Sequence, residues 1–182
     1  WSSSNTAVAT VNSSTGVVTG VAQGNVYVTY TLPTGCIRTQ IVTVNSLPAT
    51  IMSNNAVCVG QTMTALNATT GGTWSSSAPG TATIDASGVV SGVTAGNATL
   101  TYTLSTGCTS TKTITVNGLP ANISGSGVVC EGSVMNLNNG TPGGAWSSES
   151  DAMATVSSAG AVTGVSAGTV SISYTLGTGC YR

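Results

Sequence analysis

Charge is almost absent from this chain of 182 residues: three basic side chains, four acidic ones and no histidine leave a net charge of -1. A protein that binds duplex nucleic acid replaces counterions along the phosphate backbone with lysine and arginine, so that class of partner is excluded. Anionic membranes are excluded with it, because no polybasic or amphipathic helical stretch exists. No initiator methionine, signal peptide or bilayer-spanning apolar run is found either. Membrane insertion is therefore not expected, and the chain reads as a window of a longer polypeptide.

Helical periodicity is missing as well. No segment places apolar residues at i, i+3, i+4 and i+7, glycine punctuates the chain every eight to ten residues, and β-branched side chains dominate. Disorder is excluded by that same wealth of valine, isoleucine and threonine, which alternate strictly. Low charge leaves two readings: serine and threonine supply the solubility, or the chain is suited to close self-association into fibres.

What is present is one block in three copies. Trp1-Ser-Ser-Ser, Trp74-Ser-Ser-Ser and Trp146-Ser-Ser-Glu each lead into the same succession, with a repeat length of about 72 residues. That is long enough for a self-contained domain, unlike the shorter units of solenoids. Ala9-Thr10-Val11, Ala82-Thr83-Ile84 and Ala154-Thr155-Val156 stay in register, as do Gly16-Val17-Val18, Gly88-Val89-Val90 and Gly160-Ala161-Val162. The single slip is one extra residue in Asn12–Gly16, a turn-forming composition that tolerates length changes. Three segments follow: 1–47 is the C-terminal part of a repeat, 48–118 a complete repeat, and 119–182 a repeat without its last strand.

Within the complete repeat Ala98, Leu100, Tyr102 and Leu104 alternate with threonines, the period-2 signal of a half-buried strand. Val26, Val28, Tyr30 and Leu32, then Val170, Ile172, Tyr174 and Leu176, repeat it. Each run meets a Thr-Gly-Cys turn, and where the chain continues a second alternating strand closes a hairpin. Adding Ala49–Met52, Thr62–Leu66, the tryptophan strand and the two short strands after it predicts an all-β fold with about seven strands per repeat, a β-sandwich.

The run Ala-Thr-Val, turn, Gly-Val-Val-Thr-Gly-Val, Ala-Gly, then alternating apolar residues and threonine resembles the bacterial immunoglobulin-like group 2 domain, the stalk module of intimin- and invasin-type surface proteins. Ala9–Val11, Gly16–Val21, Gly24 and Val26–Tyr30 carry the resemblance in the first copy. Ala82–Ile84, Gly88–Val93 and Ala98–Tyr102 carry it in the second, and Ala154–Val156, Gly160–Val165 and Ala167-Gly168 in the third. It implies tandem immunoglobulin-like sandwiches and names no ligand. The cysteines depart from the common pattern and resemble those of a subset found in very large secreted proteins.

Cysteines 36, 58, 108, 130 and 180 give one Val-Cys-x-Gly and one Thr-Gly-Cys per full repeat. Two regular pairings are open: Cys58 with Cys108 and Cys130 with Cys180, leaving Cys36 to a partner outside this window, or Cys36 with Cys58 and Cys108 with Cys130. The first is favoured, because the family's sandwiches fold as independent units. Either way, regular cysteines imply an oxidising compartment, secreted or at the cell surface. A zinc site is excluded by the missing ligand spacing and the missing histidine.

Candidate sites are few. Asp85, Glu131, Glu149 and Asp151 are the only acids or bases for catalysis, and none of their repeat equivalents is acidic. Glu149 and Asp151 read as a solvated loop, and calcium would need a denser cluster of oxygens. No enzyme, metal site or cofactor is expected. Trp1, Trp74 and Trp146 could stack on sugars, but their recurrence reads as one core tryptophan per sandwich, with Tyr30, Tyr102 and Tyr174 also in the core. The threonine rows at 99, 101 and 103 suggest ice binding only weakly, since a twisted sandwich makes a poor flat lattice. Asn67-Ala-Thr and Asn97-Ala-Thr do not by themselves mark glycosylation. Lys112, the one lysine, has Gln40 as its counterpart, which argues against an intramolecular isopeptide bond.

Short Leu47-Pro48 and Leu119-Pro120 linkers make a semi-rigid rod the expected form. The expected function is an extracellular structural stalk or filament segment of a surface adhesin or fibre. Its partners would be neighbouring repeats and further chains. The rivals are an adhesive or glycan-binding module and the spacer of a secreted polysaccharide-degrading enzyme.

Overall fold

The computed structural model describes every residue from Trp1 to Arg182, all of it strand, turn or irregular chain. The first repeat holds β1 (Ser2–Ser3), β2 (Ala9–Val11), β3 (Val18–Gly20), β4 (Gly24–Thr31) and β5 (Ile37–Val44). The second holds β6 (Ala56–Cys58), β7 (Thr62–Thr64), β8 (Thr73–Ser76), β9 (Ala82–Ile84), β10 (Val89–Gly92), β11 (Gly96–Thr103) and β12 (Thr109–Asn117). The third holds β13 (Val134–Asn136), β14 (Ala145–Ser148), β15 (Ala154–Val156), β16 (Ala161–Gly164) and β17 (Ile172–Thr175).

Each sheet draws its strands from one repeat. In the second they run β6-β12-β11-β8 and β7-β10-β9, seven strands in two sheets. The third keeps β14-β17 and β13-β16-β15, and the first keeps β1-β4-β5 beside the β2-β3 hairpin. Alternation decides which side is buried: along β11, Ala98, Leu100 and Tyr102 are buried while the threonines between them are not. Ile114 and Val116 of β12 and Val90 of β10 complete that interior. In the third repeat Leu137, Ala154 and Val162 form the core, with Trp146 and Ile172 of the other sheet packed on it.

β6 runs parallel to β12, pairing Ala56 with Thr115, Val57 with Val116 and Cys58 with Asn117. The Val-Cys-x-Gly cysteine therefore sits level with the end of the repeat's last strand.

The expected strand at Ala49–Met52 is reduced to a single bridge between Met52 and Leu66, which exchange two backbone hydrogen bonds of 2.9 and 2.8 Å. Pro48 has no N–H to add to a ladder, and Ala49 spends its own groups on side chains. By packing, the chain forms two units. One comprises Trp1–Ile51, Asn67–Thr73 and Thr101–Thr111; the other comprises Met52–Leu66, Trp74–Leu100 and Lys112–Arg182. Each unit contains one junction between repeats.

Candidate functional site at the joints between repeats

The chain entering the second repeat is held by an asparagine and a threonine. Asn67 Nδ2 donates to Ala49 O at 2.6 Å, Ala49 N donates to Thr69 Oγ1 at 2.9 Å, and Thr69 N donates to Asn67 Oδ1 at 2.9 Å. In the second unit Asn139 Nδ2, Ala121 and Thr141 close the same ring at 2.6, 2.8 and 2.9 Å. Pro48 and Pro120, one residue earlier, are both buried. The residue after each Leu-Pro is thereby tied to the sandwich it enters. This clamp was hidden in sequence reasoning, although Asn-x-Thr recurs 18 residues after each of these alanines. Asn67-Ala-Thr thus has a structural use.

A tyrosine latch lies beside each clamp. Tyr102 Oη accepts from Gly72 N at 2.9 Å and donates to Thr69 O at 2.8 Å. Tyr174 Oη accepts from Gly144 N at 2.8 Å and donates to Thr141 O at 2.7 Å. Only glycine fits beneath the ring, because a Cβ on Gly72 would stand 2.5 Å from Tyr102 Cε1. The phenol spans the sandwich interior and the polar loop at its end, so both of its hydrogen-bonding capacities are used.

The cysteines correct both expected pairings. Cys58 is bonded to Cys180, 122 residues away in the next repeat, with Cα atoms 5.7 Å apart; Cys36, Cys108 and Cys130 are free thiols. Cys58 with Cys108 fails for a geometric reason, and Cys130 with Cys180 fails because Cys180 is already bonded. Cys58 is level with Asn117 at the end of β12, whereas Cys108 precedes the first residue of that strand. Nine residues of extended chain, about 30 Å, separate the two levels, far beyond the reach of a disulfide. Cys180 reaches Cys58 because its turn docks on the end of the preceding repeat, its Sγ lying 3.9 Å from Asn117 O. A cleft of about 280 Å³ adjoins the bridge, lined by Cys58, Val59, Gly60, Gln61, Leu119, Tyr181 and Arg182.

The expected aromatic cores divide. Tyr102 and Tyr174 are buried, and Trp74 and Trp146 are half-buried, each lying over the glycine of its Gly-Val-Val or Gly-Ala-Val turn. Trp1 and Tyr30, expected in a core, are instead 44% and 40% exposed, with ring centroids 4.7 Å apart.

The ionisable side chains are spread along the chain. Asp85 Oδ1 accepts from Ser87 N, Ser87 Oγ and Val89 N, at 2.9, 2.7 and 2.9 Å, and closes the turn between β9 and β10. The Ser87 hydroxyl and then the Val89 amide hold its carboxyl below the ordinary aspartate range. Asn12 does the same work in the first repeat, accepting from Ser14 N and Thr15 N. Glu131 accepts from Ala167 N at 2.7 Å, Glu149 and Asp151 are exposed in their loop, and Lys112 Nζ donates to Ser53 O at 2.6 Å. No three His, Cys, Asp or Glu side chains gather as metal ligands would. The outward threonines meet each other, as Thr99 and Thr113 do at 3.3 Å.

Strand order, latch and clamp define a tandem array of immunoglobulin-like β-sandwiches. Residues 1–44 and 137–180 match the bacterial Ig-like domain (group 2). The second repeat keeps the same motifs in register with both. No curated protein matches the chain in sequence. Among solved structures it is similar to domains 4–9 of the surface layer protein SbsC, at 20% identity over 73% of this chain and 29% of that one, with a TM-score of 0.34. It is similar to domains 1–6 of SbsC at 16% identity over 93% of this chain and 35% of that one, with a TM-score of 0.35. A C-terminal 282-residue fragment of intimin, solved with the intimin-binding domain of its translocated receptor, matches at 16% identity over 86% of this chain and 54% of that one, with a TM-score of 0.34.

Proposed function

We propose that the chain is a segment of an extracellular stalk or filament, built of the repeats 1–47, 48–118 and 119–182, whose task is mechanical. The observation that carries this reading is the Cys58–Cys180 bridge, which joins two successive repeats rather than stapling one. A bond placed there adds little to the shape of a single sandwich and much to the strength of the junction. The clamped alanines and buried prolines support the same reading, since they restrict the short linker where an array would otherwise bend.

A formed disulfide persists in oxidising surroundings, which supports a secreted or cell-surface location. The scattered carboxylates support a non-catalytic role, because acid–base chemistry needs groups converging on one reacting centre. Its partners on this reading are neighbouring repeats and further copies of the chain, whose near-zero charge permits close lateral packing.

The test is to pull single molecules by their ends, oxidised and reduced. Oxidised chains should gain about a third of the contour length of reduced ones, because residues between Cys58 and Cys180 are bypassed by the bridge. Equal gains in both states would refute a mechanical bridge.

A further inference from the structure

We propose that the Cys58–Cys180 bridge is one instance of a register in which each Val-Cys-x-Gly cysteine is bonded to the Thr-Gly-Cys cysteine of the next repeat. Cys108 is then the receiving half for a cysteine of a preceding repeat, and Cys130 the giving half for a following one. The inference takes from the proposed function only that the repeats are in tandem.

Two placements bring Cys180 to Cys58: the pairing of Cys58 with Asn117, and the docking of the Cys180 turn on Asn117. The second placement is duplicated one repeat earlier. Cys108 Sγ lies 4.0 Å from Asn45 O, and the two contacts span the same 63 residues. The turns that present the thiols also agree. Leu104 N donates to Cys108 O at 2.9 Å and Gly107 N to Leu104 O at 2.9 Å; Leu176 N donates to Cys180 O at 2.8 Å and Gly179 N to Leu176 O at 2.9 Å. Asn45 follows the last residue of β5 as Asn117 ends β12. Cys108 therefore stands where the bridge forms in the next repeat, and the first repeat contains no counterpart of Cys58 to meet it.

Cys130 repeats the other half. Gln61 N donates to Cys58 O and Ser133 N to Cys130 O, both at 3.0 Å. Gly60 N donates to Gly92 O at 2.8 Å, and Gly132 N to Gly164 O at 2.9 Å. A Cβ on Gly92 would meet Cys58 O at 2.5 Å, and one on Gly164 would meet Cys130 O at 2.6 Å. The segment is held in one way in both repeats, and the Cys130 thiol is exposed.

Each bridge forms by exchange with a small disulfide such as oxidised glutathione. One protein thiolate attacks it, expelling a glutathione thiol. The second protein thiolate then displaces the other glutathione, so two protons and two electrons leave the cysteines and the oxidant departs as two thiols. The repeat is 72 residues, the spacing from Cys58 to Cys130, and each bridge spans 122. Successive bridges therefore overlap, and no stretch of an inner repeat lies outside all of them.

The test adds a second copy of the chain's own Pro48–Thr73 in front of Trp1, restoring to the first repeat the segment with the Val-Cys-Val-Gly cysteine. After folding in a glutathione redox buffer, peptide mapping without reduction should show the added cysteine bonded to Cys108. The chain should be two hydrogens lighter for that bond, Cys58–Cys180 should be retained, and only Cys36 and Cys130 should remain alkylatable. A bond from the added cysteine to Cys36, or an added cysteine that stays alkylatable, overturns the proposal. A second variant appends a copy of residues 111–182 after Arg182. Here Cys130 should lose its alkylation through a bond to the copied Cys180, and a Cys130 left free while Cys58–Cys180 is intact overturns the proposal independently. Either failure leaves the stalk reading standing, because that reading is tested by pulling the chain as it is.

Discussion

The side-chain amide of Asn67 donates to the backbone carbonyl of Ala49 at 2.6 Å, and Asn139 makes the same bond to Ala121 at the same length. The residue after each Leu-Pro is thus fixed by a side chain that arrives 18 positions later. Asn67→Ala removes that donor and leaves a partly buried carbonyl without it. The expected cost is about 1–2 kcal/mol, read as a lower denaturation midpoint with an unchanged m-value.

Tyr102→Phe keeps the ring and deletes the hydroxyl that satisfies Gly72 N and Thr69 O. About 1–3 kcal/mol of stability should be lost, because two groups are stranded. Gly72→Ala should cost more, since its Cβ must displace the ring. Urea titration of both variants checks the order; an equal or milder effect of Gly72→Ala would contradict the packing described.

Cys58→Ser opens the loop of 122 residues. On the chain-entropy account this costs about 5 kcal/mol, strain in the native state reducing the figure. Cys130→Ser touches an exposed free thiol and should stay within about 0.5 kcal/mol of the parent. Calorimetry without reductant separates the two, and adding reductant should abolish the difference.

Asp85 gives a pH dependence of definite sign. Its hydrogen bonds lower the folded-state pKa below the unfolded one, so its contribution is fully present above the unfolded value. That contribution is lost as pH falls through the depressed folded value, below the ordinary 3.8. Asp85→Asn keeps an oxygen acceptor, as Asn12 does in the first repeat, and removes the titration. Stability curves of parent and variant should converge at acid pH and separate with the parent higher near neutrality. Parallel curves would show that Asp85 does not titrate in the linked way.

Much of the fold was legible because its determinants are local. Alternation along Ala98–Tyr102 needs only the pleat, and the Thr-Gly-Cys turns need only a glycine at positive φ, such as 84° at Gly107. The site was less legible. Asn67 and Thr69 form an ordinary Asn-x-Thr triplet until Ala49 is brought against them. Trp1 and Tyr30 follow the core pattern but lie exposed, since burial depends on packing partners that alternation does not encode.

The cysteines mark the division between the two sources. Sequence alone determined the repeat, the strands, the fold class and the regular placement of five cysteines, because periodicity and turn chemistry act over a few residues. Only the tertiary structure decided which thiols meet. Spacing along the chain carries no record of the end of the sandwich at which a residue emerges. The parallel register of β6 on β12 puts Cys58 at the outgoing end, and the docked turn of the next repeat brings Cys180 to it. Long-range register set that meeting, over a distance that no local pattern encodes.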